Sequence, residues 1–127
     1  MTEENKKDRL KEKPPIVAFD FDGVIHSYKS GWQGADVIPD PVVKGIKRVI
    51  NQLRKDGFFI SVFSSRCHQP GGKEAIEKYL KKNKIEVDEI TEHKPPAIVL
   101  VDDRCITFTG RTKGLVNKIR KFKPWYK

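Results

Sequence analysis

The sequence predicts an α/β domain built on a mostly parallel sheet, and three observations carry that prediction. Apolar, β-branched runs at residues 16–19 (IVAF), 58–63 (FFISVF) and 97–101 (AIVLV) read as buried strands. Each of them ends in polar residues, Asp20, Ser64 and Asp102. The stretches at 41–56 and 73–83 between them carry apolar residues at helical spacing, so strands are joined by helices rather than by tight turns, as parallel neighbours require.

Taken in order, residues 1–13 (MTEENKKDRLKEK) are charged or polar with both signs mixed, and are expected to be a flexible lead-in closed by Pro14 and Pro15. The rest, 14–127, is expected to be a single domain, since 127 residues suffice for one sizeable core and not for two. The first strand runs into Asp20, Phe21, Asp22 and Gly23, a tight turn. Residues 25–40 (IHSYKSGWQGADVIPD) alternate briefly and are broken by Gly31 and Gly34, which suggests a small hairpin or flap.

Val42, Val43, Ile46, Val49, Ile50 and Leu53 then recur at helical spacing, with Asp40 placed as a cap, Pro41 in the first turn and Gly57 past the end. A second helix over 73–83 has Ile76, Tyr79 and Leu80 on its inner face, and Ile85, Val87 and Ile90 suggest a short third strand. After the fourth strand, 106–108 is expected as a short fifth, and 112–122 as a basic helix carrying Leu115, Val116 and Ile119.

Charge and composition bound the function. The net charge is +9, from 26 basic and 17 acidic residues. No acidic residue follows Asp103, whereas Arg104, Arg111, Lys113, Lys118, Arg120, Lys121, Lys123 and Lys127 do, and a one-signed segment of this kind attracts polyanions such as nucleic acid. A solvated helix face explains the same charges without a partner. No apolar run approaches the roughly 20 residues that span a bilayer, so the expectation is a cytoplasmic protein without membrane helix or secretory signal. Cys67 and Cys105 form no metal pattern and are expected as free thiols.

The aspartates carry the chemistry. Along a strand side chains alternate with period two, so Asp20 and Asp22 leave the backbone on one side. Two carboxylates so placed are unfavourable unless they share a proton or a cation, and hard oxygen ligands select a divalent ion, Mg²⁺ above all. Parallel strands put the ends after Phe19, Phe63 and Val101 along one edge, where Asp20, Asp22, Ser64, Lys94, Asp102 and Asp103 can converge.

Four segments in order, DFDGV at 20–24, FSSR at 63–66, HKPP at 93–96 and VDDR at 101–104, resemble the motifs of the haloacid dehalogenase-like (HAD) superfamily of phosphohydrolases. The resemblance covers residue 16 to about residue 108. It implies a three-layer Rossmann-like fold, here with no sizeable cap domain because the intervals between motifs leave little room for one. It further implies Asp20 as nucleophile forming an aspartyl phosphate, and Asp22 as general acid and then base whose backbone carbonyl also reaches the metal. Ser64 would donate to a phosphoryl oxygen, and Lys94 would neutralise phosphate charge and hold Asp20. Asp20, Asp22, Asp102 and Asp103 would complete the Mg²⁺ site, with Asp102 favoured over Asp103 as direct ligand. Gly23, Ser65 and Arg66 would help to bind substrate.

His26, Tyr28, Lys29 and Trp32 follow the first motif and could form a wall of the substrate pocket, or simply stabilise a small hairpin. An uncapped site suits a phosphorylated substrate that protrudes from something large. With the basic segment and the aromatics, this favours a nucleotide or a nucleic-acid end. A small-molecule phosphatase, a phosphotransferase and a non-catalytic phosphate- or nucleic-acid-binding module are the alternatives.

Overall fold

The computed structural model describes residues 14–127; the lead-in expected over 1–13 lies outside them. Four strands, β1 (Ile16–Asp20), β2 (Phe59–Phe63), β3 (Glu89–Thr91) and β4 (Val99–Val101), form one sheet in the order β3-β2-β1-β4. Every pairing is parallel. Three helices accompany them: α1 (Ile46–Lys55), α2 (Gly72–Lys82) and α3 (Leu115–Lys121). The chain is thus α/β with an all-parallel sheet, consistent with a Rossmann-like fold.

The topology places the chemistry. From β1 the chain moves outward through β2 to β3, then returns to lay β4 on the other side of β1, so the strand order reverses between β1 and β4. Open α/β sheets bind ligands beyond the carboxyl ends of the strands at such a switch point. The register is explicit: Asp20 is level with Phe63 on β2, and Phe19 with Val101 on β4. Asp20 therefore emerges beside Ser64 on one flank and Asp102 on the other.

The core sits on β1 and β2. Phe19, Ile60 and Val62 are fully or almost fully buried, together with Ile50 of α1 and Ile76 of α2. Helix α2 buries Ile76, Tyr79 and Leu80, the face its periodicity indicated. Its first residue, Gly72, presses on the Arg66 carbonyl so closely that a Cβ there would collide with it.

Several expected elements differ. The helix expected from Pro41 begins at Ile46, after Gly45 in the left-handed conformation. Residues 41–43 are instead drawn into an antiparallel pairing with 25–27, in which Ser27 N–H donates to Pro41 O (3.0 Å) and Val43 N–H to Ile25 O (2.8 Å). Asp40 consequently caps no helix; its carboxylate accepts from the backbone and hydroxyl of Ser30 (2.8 and 2.5 Å). The flap over 25–40 is a looped excursion closed by this pairing.

The fourth strand is shorter than expected and is not buried: Val99, Leu100 and Val101 remain 48%, 40% and 37% exposed. It is one edge of the sheet, and α3, which has no buried residue, does not cover it. Residues 106–108 form no strand.

Candidate functional site

Asp20 closes β1, and Asp102 and Asp103 follow β4 directly, so the register of two adjacent strands brings three carboxylates together. One oxygen from each lies within 4.8 Å of the others. Asp20 Oδ1 accepts from Phe21 N–H (2.9 Å), and Asp102 Oδ1 from Arg104 N–H (2.9 Å). Lys94 Nζ stands 3.5 Å from Asp102 Oδ2 and over the Phe63 ring, 5.4 Å from its centroid. The lysine thus faces Asp102, whereas the resemblance implied a hold on Asp20.

The trio is under electrostatic strain. Burial first, then a side-chain hydrogen bond with Asp103, and then the charges of Asp102 and Asp103 push the Asp20 carboxyl up to about 9. Asp103, whose side chain is only 2% exposed, has an Oδ1 without a hydrogen-bond partner among the described residues. Buried polar atoms are nearly always partnered. An all-oxygen donor set with one buried, unpartnered carboxylate oxygen fits a hard divalent cation, and Mg²⁺ suits it.

Asp22 lies outside the trio. Its Oδ2 accepts from Arg66 Nε (2.8 Å), and its Oδ1 from Arg66 Nη2 (3.0 Å) and His26 Nδ1 (2.9 Å). Both oxygens are therefore committed to the protein, and the metal contact expected of Asp22 is through its backbone carbonyl. Burial alone would raise its pKa, but the bonds from His26 and Arg66, with the Arg66 charge, outweigh it and hold Asp22 below the ordinary carboxylate range.

Arg66 and His26 were expected against substrate; both are wholly buried. The remaining Arg66 nitrogen, Nη1, donates to the carbonyls of Gly34, Ala35 and Val37 (2.8, 2.9 and 3.1 Å), so this one side chain ties the flap to the aspartate turn. His26 Nε2 accepts from Asp40 N–H (3.1 Å), which leaves Nδ1 carrying the proton toward Asp22. Its ring is stacked near Phe21 and meets Tyr28 and Tyr79 edge-on. Ser64 Oγ accepts from Arg66 N–H (3.1 Å) and caps the 3₁₀ turn Ser65–His68 that aims the guanidinium. Gly23, with φ +83°, is closely packed: an added Cβ would run into the Asp103 carboxylate and lie 2.7 Å from the Tyr126 ring.

A cleft of about 450 Å³ opens over the trio. Asp20, Asp22, Asp102, Asp103, Lys94, Ser65 and Trp32 line it, while Ser64, Gly23, His26 and Arg66 are not part of the lining. Trp32 is 48% exposed, with one side occupied by the Arg66 guanidinium 4.7 Å from the ring centroid.

Tyr28, Phe63, Glu92, Arg104 and Tyr126 complete the lining. Tyr126 is the residue sequence reasoning missed: its hydroxyl donates to Asp103 Oδ2 (2.7 Å), and its ring meets Tyr28 edge-on at 5.6 Å. Trp125 Nε1 donates to Gly23 O (2.6 Å). Nothing local announces a contact between residues about a hundred positions apart; the small residue at 23 was the sole hint.

No helix among the described residues is long and apolar enough to cross a membrane. No protein-family model matches the chain, and no curated protein matches it. Solved structures do. A chain of the Pnkp1/Rnl/Hen1 complex is similar over 90% of this chain and 37% of its own length, at 17% identity and a TM-score of 0.53. A chain of the Pnkp1/Rnl/Hen1 RNA repair complex is similar over 84% of this chain and 30% of its own, at 19% identity and a TM-score of 0.49. The chain therefore spans about a third of the length of these neighbours, and at such identities the likeness is one of fold.

Proposed function

We propose that the protein is a Mg²⁺-dependent phosphomonoester hydrolase of the HAD superfamily, working through an aspartyl phosphate on Asp20, on the phosphate of a nucleotide or nucleic-acid end. The observation that supports it is the trio Asp20, Asp102 and Asp103 at the sheet's switch point, with a buried, unpartnered Asp103 oxygen and Lys94 alongside.

Asp20 supplies the nucleophile: its oxygen bonds to phosphorus as the bond from phosphorus to the leaving oxygen breaks, and that leaving oxygen takes a proton from solvent in the open cleft; water then attacks phosphorus, the bond from phosphorus to Asp20 breaks, and phosphate is released. Lys94 faces the cleft as a compact cation for the phosphoryl oxygens. Ser65, rather than the capping Ser64, presents a hydroxyl there. Asp22, held ionised by Arg66 and His26, is poised to take the proton of the attacking water, the base half of its role. Held by Asp20, Asp102 and Asp103, Mg²⁺ would screen the carboxylate from the phosphate it must approach.

A second reading rests on the same clamp. With both Asp22 oxygens bonded, the acid needed for a poor leaving group is engaged elsewhere, which favours a phosphate-binding module that does not turn over.

Phosphate release from mononucleotides, 3′- and 5′-phosphorylated oligonucleotides, sugar phosphates and an aryl phosphate, with Mg²⁺ or chelator, separates the two. Release that needs Mg²⁺ and vanishes in Asp20→Asn supports the hydrolase. Phosphate binding without release from any substrate supports the module.

A further inference from the structure

The segment after α3 is built into the cleft. Residues from 104 onward carry eight basic side chains and no acidic one. Trp125 and Tyr126 pin this segment to the aspartate turn, through Gly23 O and Asp103 Oδ2. Gly23 is shaped for the contact, since any side chain there would displace Asp103 or Tyr126. Four residues lie between Lys121, the last of α3, and Tyr126, so the basic end of the helix is within about 18 Å of the Tyr126 backbone.

The aromatic groups stand on the cleft side of this junction. Trp32 is fixed by the buried Arg66 on one side and half exposed on the rest, and Tyr28 and Tyr126 form an edge-to-face pair lining the same space. Planar rings held rigid beside a phosphate site are what a nucleobase stacks on, at little entropic cost. Arg120, Lys121 and Lys123 are exposed and precede Tyr126 in the chain by three to six positions.

We propose that the segment Pro124–Lys127 and α3 form the strand-binding arm of the site. Trp32 and Tyr126 receive the terminal base of a phosphate-ended single strand, and Arg120, Lys121 and Lys123 hold the phosphates behind it. This deepens the hydrolase reading, on which it rests for the position of the terminal phosphate. It makes Tyr126 a specificity-determining residue, and it separates strands of several nucleotides from mononucleotides.

The test uses the full chain in Mg²⁺, with Asp20→Asn to hold substrate without turnover. Anisotropy of fluorescently labelled, phosphate-ended oligonucleotides of one to six nucleotides is followed across a salt series. Tighter binding with each nucleotide to about four is expected. Substituting Arg120→Gln, Lys121→Gln and Lys123→Gln together should weaken the longer strands at least tenfold and lower the log–log salt slope by about 2. Tyr126→Leu should weaken every length severalfold, while Tyr126→Phe, which keeps the ring and drops the bond to Asp103, should retain the length dependence.

Length-independent affinity would overturn the arm, as would triple-variant binding with an unchanged salt slope. Equal competition by polyglutamate of matched charge would reduce the surface to one for any polyanion and overturn the base contact. Length-dependent, variant-sensitive binding in a protein that releases phosphate from nothing would retain the arm and remove the hydrolase.

Discussion

Arg66 meets Asp22 in a two-pronged ion pair, Nε to Oδ2 at 2.8 Å and Nη2 to Oδ1 at 3.0 Å, and neither group spends its charge on solvent alone: the arginine is wholly buried and the aspartate one-fifth exposed. The pair converts a residue from the catalytic turn into an anchor for the flap, because the same guanidinium also holds three flap carbonyls.

Removing that guanidinium should therefore cost stability and shape together. Arg66→Met leaves the Asp22 carboxylate with only its bond from His26 and takes the guanidinium away from three flap carbonyls, and about 3 kcal/mol of destabilisation is expected in urea titration. Arg66→Lys should recover little of it, since an ammonium cannot serve two carboxylate oxygens and three carbonyls in one plane. Full recovery by lysine would show that charge alone matters here.

Gly23→Ala should be poorly tolerated although it adds one methyl group. The position has φ +83°, and the new Cβ would meet both Asp103 and the Tyr126 ring. A loss of about 1–3 kcal/mol is expected, with weakened Mg²⁺ binding measured by calorimetry because Asp103 must move. Unchanged affinity for Mg²⁺ would contradict the close packing of residues 23, 103 and 126.

Stability should depend on pH in a direction set by Asp20. Its folded pKa, about 9, lies above the unfolded value near 4, so the folded state keeps a proton that the unfolded state releases. Metal-free protein should lose stability steadily as pH rises between those values. Asp22 acts oppositely: with its folded pKa lowered, its contribution is present above about pH 4 and disappears in more acid solution. Melting temperatures in chelator should fall from pH 5 to 9, Mg²⁺ should flatten the decline, and Asp20→Asn should remove most of it. A flat profile in chelator would refute the crowding of the trio.

His26→Phe should preserve the packing against Phe21 and Tyr79 and lose the bonds to Asp22 and Asp40. About 1–3 kcal/mol of destabilisation is expected, since Asp40 N–H loses its acceptor in a partly buried setting and Asp22 loses a donor. Stability equal to the parent chain would mean that the ring serves only as filler.

How much of this was legible depends on how local its causes are. Strands β1 and β2 and helix α2 bury what their periodicity indicated, and adjacent parallel strands ending in aspartates sufficed to foresee that Asp20, Asp102 and Asp103 meet. The start of α1 was not legible, because residues 41–43 have helical spacing yet pair with 25–27, a preference made outside the segment. Nor was the fate of Arg66: an arginine after a strand reads as a ligand for phosphate, and only the three-dimensional flap supplies the acceptors that bury it. Tyr126 reaches Asp103 through a chain reversal no pattern encodes.

Chemical trapping at Asp20 puts the proposed chemistry to the plainest test. Protein turning over a phosphate-ended oligonucleotide in Mg²⁺ is quenched with borohydride, which reduces an acyl phosphate to an alcohol, and the peptide containing residue 20 is examined by mass spectrometry. Homoserine in place of Asp20, formed only with both substrate and Mg²⁺ present, is the expected result. Phosphate release with an unmodified Asp20, or an adduct on another residue, would contradict it.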